Sequence, residues 1–93
     1  MKFWVEESLL DIKLGGLYLT PWRVGAYLIN QSSGLNLWQT LEEGETVVFL
    51  EIRETSKSFV AAYYDVKVLL SNSKIGIISC SEIALINNWK LVK

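Results

Sequence analysis

The chain has 93 residues, the length of one domain, and its 51% hydrophobic and 20% charged residues exclude the composition of an unfolded chain. Nine basic and ten acidic residues give a net charge of -1, so the chain has no overall positive field to hold a nucleic-acid backbone. We therefore expect one folded domain over residues 1–93, and the charge argues against a nucleic-acid partner.

Cysteine and histidine usage limits the chemistry further. Cys80 is the only cysteine, which excludes an intrachain disulfide and favours a reducing compartment. The chain has no histidine, so it lacks the usual general base near neutral pH and the commonest zinc ligand. No glycine-rich phosphate-binding motif is present. These features predict a protein that is not an enzyme and that binds neither a metal nor a cofactor.

The N-terminal region carries no signal for export or membrane insertion. Glu6 and Glu7 interrupt the short apolar stretch that follows Lys2, and no apolar run is long enough to span a bilayer. We therefore expect a cytoplasmic protein without a membrane partner.

The first 20 residues are predicted to form an N-terminal extension. Its apolar positions between residues 9 and 14 fit either a short helix or a short strand. Residues 17–20 predict a strand that ends at Pro21, because proline has no N–H for a β-ladder.

From residue 21 onward the chain is typical of short β-strands separated by turns. In the segment 63–70, Asp65 and Lys67 alternate with Val66 and Val68, so one face should be buried and the other exposed. Asn72 lies in a tight turn, where we expect positive φ. An irregular loop is expected from residue 31 to residue 40. The predicted strands are 24–30, 46–54, 63–70 and 74–79, with a closing strand at 83–86 or 89–92.

Three segments resemble bacterial and phage-type SH3-like domains. Residues 41–47 read LEEGETV, similar to the Leu-x-x-Gly-Glu-x-Val diverging turn that leads into the second strand of SH3 folds, where a glycine takes a conformation that other residues resist. Residues 65–78 resemble the family hairpin, Trp-x-Lys-Val, a polar turn and Gly-Lys-x-Gly-Trp-Val. Residues 28–34 are similar to its first strand and loop. The resemblance covers roughly residues 24 to 86 and implies an all-β fold, a small SH3-like barrel of about five strands over residues 21–93.

Several departures from the family bear on function. Asp65 and Ile77 stand where the bacterial hairpin has tryptophans. Ser79 and Glu82 stand where eukaryotic domains have a proline and a tyrosine of the polyproline groove. Because a carboxylate cannot pack against ligand prolines as a flat ring does, PxxP recognition is not expected. Cell-wall peptide binding, which the bacterial family implies, fits poorly with a chain that has no export signal.

The surplus of aromatic residues suggests a partner surface. Two or more of the tryptophans Trp4, Trp22, Trp38 and Trp89 should fill the core of so small a barrel. The alternative is an exposed surface in which loop residues Trp22 and Trp38 join two tyrosines. The turn at 41–47 contains the acidic residues Glu42, Glu43 and Glu45. It is most simply a solvated turn, but its negative charge also suits a basic partner. The predicted partner surface consists of Trp22, Trp38, Glu42, Glu43, Tyr63, Tyr64 and Ile77.

The leading hypothesis is a non-enzymatic interaction or assembly module that binds an unidentified protein or itself. The alternative is a nucleic-acid-binding barrel of the Tudor, KOW or OB kind, in which rings stack on bases and the lysines at 57, 67, 74, 90 and 93 group on folding. Catalysis by carboxylates alone is a third reading, against which the lack of histidine argues. Cys80 is expected to act as a small hydrophobic residue and not as a nucleophile.

Overall fold

The computed structural model describes residues 12–29, 38–57 and 62–92. Trp4, residues 9–11 of the segment predicted as a short helix or strand, residues 31–37 of the predicted loop and Lys93 lie outside the described residues. The described chain contains seven strands and one short helix. The strands are β1 (Leu17–Leu19), β2 (Val24–Leu28), β3 (Trp38–Leu41), β4 (Thr46–Lys57), β5 (Ala62–Leu70), β6 (Ile75–Ser81) and β7 (Lys90–Leu91), and the helix is α1 (Glu82–Asn87).

All seven strands belong to one antiparallel sheet. Its order is β3-β2-β6-β5-β4-β1-β7, with the consecutive strands β4, β5 and β6 forming a meander at its centre. The sheet curls into a half-barrel, as twisted strands do when they enclose a small core. The prediction of a small, all-β barrel is therefore confirmed in its architecture.

The strands of the sheet differ from the prediction in two respects. The four strands predicted at 24–30, 46–54, 63–70 and 74–79 correspond to β2, β4, β5 and β6. The structure adds β3, which occupies part of the predicted loop because its residues pair with β2. It also places β1 between β4 and β7, so residues 17–19 of the predicted extension belong to the sheet. The described sheet thus has seven strands where about five were expected.

The core lies on the concave side of the sheet. Alternate residues of β5 face inward, and their side chains are buried together with residues of β2, β4 and β6. The ring of Phe49 stacks on that of Tyr18, with centroids 4.0 Å apart, and meets the ring of Trp89 edge-on at 5.6 Å. Such aromatic pairs add to the stabilisation that burial provides. Trp89 therefore fills the core. Trp22 and Trp38 are exposed, so only one of the three described tryptophans is buried where two or more of the four were expected.

The segment 83–86, one of two predicted closing strands, is helical instead. Ser81 is the N-cap of α1, and its Oγ accepts a hydrogen bond from the N–H of Ala84 at 3.2 Å. This cap satisfies one of the N–H groups that have no partner at the start of a helix. Leu85, within the helix, is buried in the core. The closing strand is β7, which pairs with β1 and lies within the other predicted segment, 89–92.

The predicted diverging turn is present between β3 and β4. β3 pairs with β2, whereas β4 pairs with β1 and β5, so the two strands separate after the turn. Gly44 has φ +88°, the left-handed conformation that glycine adopts without strain. Buried Thr20 holds the turn: its hydroxyl donates to the carbonyl of Glu42 at 2.6 Å, and its N–H donates to the carbonyl of Glu45 at 2.9 Å.

The hairpin between β5 and β6 turns through residues 71–73. The positive φ predicted for Asn72 falls on Ser73, at 72°. Asn72 instead makes side-chain hydrogen bonds: its Oδ1 accepts from the N–H of Lys74 and its Nδ2 donates to Oε1 of Gln39, both at 3.0 Å. In a three-residue hairpin loop the left-handed residue comes last, which explains the displacement by one position.

Candidate functional site

A groove of about 440 Å³ opens between the start of β2, at Trp22 and Val24, and the second half of β6. The two strands are in register only at Tyr27–Ile77 and Leu28–Gly76. They approach closely there, since a Cβ at Gly76 would lie 3.1 Å from the Cβ of Ala26. Beyond this contact the strands part. We call the opening the Trp22–Tyr63 groove.

The groove has an apolar floor and an aromatic rim. Ile78, Cys80 and Trp89 line its inner part, and Ile78 and Trp89 are buried core residues. At the rim, Trp22 is 46% exposed and Tyr63 is 47% exposed. Two large aromatic side chains that stay half-exposed above an apolar floor offer a surface that another chain can cover.

Cys80 lies in the wall of this groove, and its thiol has a raised pKa. Burial raises the pKa of its thiol to about 11 from an ordinary value of 9.0, and the nearby Asp65 carboxylate adds to the rise. Because the thiolate is the nucleophilic form, a thiol with this raised pKa stays protonated at neutral pH and is a poor nucleophile. The half-buried side chain accordingly acts as part of the apolar lining.

Trp22 also borders a second depression, of about 370 Å³, on its other side. Glu43 and Gly44 of the diverging turn line this depression together with Lys90. Glu42, the neighbouring acidic residue, accepts a hydrogen bond from Nε of Arg23 at 3.1 Å. Both acidic residues are exposed, and Glu43 shares this depression with the Trp22 ring.

Tyr64 differs from the other residues of the predicted partner surface. It is 4% exposed and belongs to the core, because it lies on the inward face of β5 with Val66 and Val68. Burial raises the pKa of its phenol, and the charges of Glu82 and Glu54 contribute to the same rise. Tyr64 is therefore unavailable as a contact surface in the folded chain.

Trp38 and Ile77 lie in one row on the outer face of the sheet, and neither lines the groove. Tyr27 lies between them, directly opposite Trp38 on β3 and Ile77 on β6. The rings of Tyr27 and Trp38 meet edge-on with centroids 5.3 Å apart. Tyr27 is not among the residues predicted for the partner surface. The alternation along β2 carries the signal, since Gly25 and Tyr27 share the face opposite to buried Ala26 and Leu28.

The same row of the outer face continues into charged residues. Ile77 is opposite Lys67, and Lys67 is opposite Glu51, with Nζ and Oε1 3.7 Å apart. In the next row Arg53 is opposite Asp65, whose Oδ1 accepts a hydrogen bond from Ser79 Oγ at 2.7 Å. Positive and negative charges are therefore mixed at close range on this face.

The lysines of the nucleic-acid hypothesis do not form one group. Lys57 lies opposite Ala62 at one end of β5. At the other end, the carbonyl of Lys74 accepts a hydrogen bond from the N–H of Leu70. Lys67, between them, is paired with Glu51. A nine-residue strand spans roughly 27 Å at 3.3 Å per residue, so these charges are far apart.

The described residues contain neither a membrane-spanning helix nor a cluster of metal ligands. No helix among residues 12–29, 38–57 and 62–92 is long and apolar enough to cross a membrane. In the same part of the chain, no three histidine, cysteine, aspartate or glutamate residues are grouped so as to hold a metal ion. Comparison with family models, with curated proteins and with solved structures found no match to this chain.

Proposed function

We propose that this chain is a non-enzymatic protein-interaction module built on an SH3-like barrel. Three features support the SH3-like assignment. A diverging turn with Gly44 in the left-handed conformation leads into the β4–β6 meander. The short helix α1 follows that meander directly, and the closing strand β7 then pairs with β1. Together with the sequence resemblance, these features favour this barrel over other small β-folds.

The Trp22–Tyr63 groove is the proposed binding site for a segment of the partner protein. The observation that carries this proposal is the pair of half-exposed aromatic side chains above an apolar floor. Tryptophan and tyrosine provide a large share of binding free energy at protein interfaces, because each brings a wide apolar ring with a polar group at its edge. An apolar side chain of the partner would enter the groove and cover both rings.

The partner segment differs from a polyproline ligand in its chemistry. Ser79 lines the groove, and Glu82 follows it at the start of α1, where polyproline-binding domains have a proline and a tyrosine. Exposed Glu43 lies on the other side of Trp22. A segment that combines an apolar side chain for the groove with a basic side chain near Glu43 suits this arrangement best.

The proposal is tested by selecting random peptides displayed on phage against the immobilised chain. Selected peptides should bind the wild type and bind a Trp22→Ala, Tyr63→Ala double variant roughly tenfold more weakly or worse, since buried aromatic anchors carry most of such affinity. Affinity is measured by isothermal titration calorimetry.

Trp38→Ala serves as the matched control, because Trp38 is an exposed tryptophan that lies opposite Tyr27 and does not line the groove. Its affinity for the selected peptides should equal that of the wild type. Recovery of no binding peptide, or equal loss of affinity in the control and in the double variant, contradicts the proposal. Circular dichroism establishes that each variant is folded.

A further inference from the structure

Four charged side chains form a two-by-two chequerboard on the outer face of β4 and β5. Glu51 and Arg53 are two residues apart on β4 and share a face, with no bulge between them. Lys67 lies opposite Glu51, and Asp65 lies opposite Arg53. Each charge therefore has an opposite charge beside it along the strand and across the strands, while like charges meet only on the diagonals.

We propose that this face binds a second copy of the chain about a twofold axis. A symmetric dimer brings the same patch of both copies together, so the patch must be complementary to itself. Place the axis in the interface, parallel to the strands and between β4 and β5. Glu51 then faces Lys67 of the second copy, and Arg53 faces Asp65 of the second copy.

An axis perpendicular to the strands, between the two rows, gives a second solution. Glu51 then faces Arg53 of the second copy, and Asp65 faces Lys67 of the second copy. A chequerboard is thus self-complementary about both in-plane directions that packed sheets commonly use. A patch of one sign would repel its own copy about either axis. A patch with like charges in each row would be self-complementary about the perpendicular axis only.

The side chains of the face are available for such a contact. Glu51 and Arg53 are solvent-exposed and Lys67 is half-buried, and the ion-pair contacts among these three, at 3.7 Å, are loose. Asp65 is also half-buried and accepts a hydrogen bond from Ser79 at 2.7 Å. Exposed pairs of this kind contribute little to the stability of one chain, so exchanging them for contacts with a second copy costs little.

Apolar surface adjoins the charges, as a lasting interface requires. Ile77 lies directly beside Lys67, and Tyr27 and Trp38 continue the same row. The net charge of -1 leaves little overall repulsion between two copies. The dimer face adjoins the Trp22–Tyr63 groove, because Tyr63 and Asp65 share one face of β5 and Ser79 of the groove donates a hydrogen bond to Asp65. The dimer requires neither Trp22 nor the apolar floor of the groove, so charge reversal tests it separately from the proposed function.

Charge-reversed variants test the dimer by sedimentation velocity over a range of concentrations. Arg53→Glu with Lys67→Glu makes the face wholly acidic, and Glu51→Lys with Asp65→Lys makes it wholly basic. The wild type should dimerise with rising concentration, and added salt should weaken the dimer. Each variant alone should be monomeric, and an equimolar mixture of the two should form a heterodimer. If either double variant is unfolded by circular dichroism, the single variants Lys67→Glu and Glu51→Lys replace the pair.

Three results would overturn the proposal. The first is a wild type that stays monomeric up to its solubility limit. The second is a dimer that persists in either charge-reversed variant, since it would then use another surface. The third is a mixture of the two variants that forms no heterodimer, because the charges would then act only within each chain.

Discussion

Tyr63 and Tyr64 are neighbours in sequence but lie on opposite faces of β5, with Tyr63 47% exposed and Tyr64 4% exposed. Successive side chains of a strand alternate between its faces, so the two rings have separate environments. Tyr63 borders the groove, and Tyr64 packs in the core. Tyr63 is therefore accessible to a partner, whereas Tyr64 is not.

Alanine at these two positions should have unequal effects on stability. Tyr64→Ala should lower the free energy of unfolding by about 3–5 kcal/mol, because a large buried ring is lost and a cavity is left. Tyr63→Ala should change it by less than about 1 kcal/mol, as surface substitutions usually do. Urea unfolding followed by circular dichroism measures both. Equal losses would show that Tyr63 also supports the core.

The hydroxyl of Thr20 should be needed to hold the diverging turn. Thr20→Val keeps the shape of the side chain but leaves the buried contact to the Glu42 carbonyl unmade, which should cost about 1–3 kcal/mol. Thr20→Ser keeps the hydroxyl and is the matched control, with a smaller loss. A valine variant as stable as the serine variant would contradict this account of the turn.

The hairpin turn offers a stabilising substitution. Ser73 adopts φ 72°, which glycine tolerates and other residues resist, so Ser73→Gly should raise the free energy of unfolding by roughly 0.5–1 kcal/mol. Ser73→Ala, which relieves nothing, should be neutral or slightly destabilising. Thermal unfolding of the wild type and the two variants measures these differences in stability. A glycine variant less stable than the alanine variant would contradict the prediction.

Cys80 should resist alkylation while the chain is folded. Its pKa is raised to about 11 from 9.0, so the native thiol stays protonated at pH values where an unfolded chain ionises. The native state then holds more protons than the unfolded state, and stability should fall as pH rises from 9 towards 11.

Iodoacetamide labelling followed by mass spectrometry checks the reactivity of Cys80. At pH 8 the folded chain should label far more slowly than the chain in urea, and Cys80→Ser should not label. Equal rates in the folded and unfolded chain would mean that the thiol is neither shielded nor shifted.

Single-stranded nucleic acid should not bind measurably. Lys57 and Lys74 lie at opposite ends of β5, and Lys67 is paired with Glu51, so no described cationic groove follows a phosphate backbone. Fluorescence anisotropy of labelled DNA and RNA at low salt measures this directly. Binding that weakens as salt is added would support the alternative function.

Much of the fold follows from local patterns in the sequence. The alternation of Val66 and Val68 with Asp65 and Lys67 indicates β5 and its buried face, and the glycine in the turn at 41–47 predicts the conformation found at Gly44. The same alternation places Tyr64 with Val66 on the buried face. The assignment of Tyr64 to the partner surface could therefore have been corrected from the sequence alone.

Other features depend on contacts between distant residues. The short apolar run at 83–86 fits a strand or a helix, and the choice depends on the cap at Ser81 and on the core beneath Leu85. The groove depends on where β2 leaves β6, beyond the Tyr27–Ile77 pair. The sequence pattern of neither strand shows where the two strands separate.

The proposed function requires the Trp22–Tyr63 groove as the contact surface, and one nuclear magnetic resonance titration tests this directly. Nitrogen-15-labelled chain is titrated with a selected peptide, and the chemical-shift changes are mapped onto the structure. The largest changes should fall on the indole N–H of Trp22, on the amide of Tyr63 and on the amides of residues 78–81. Changes confined to the outer face at Tyr27, Trp38 and Ile77, with those groove signals unmoved, would contradict the account.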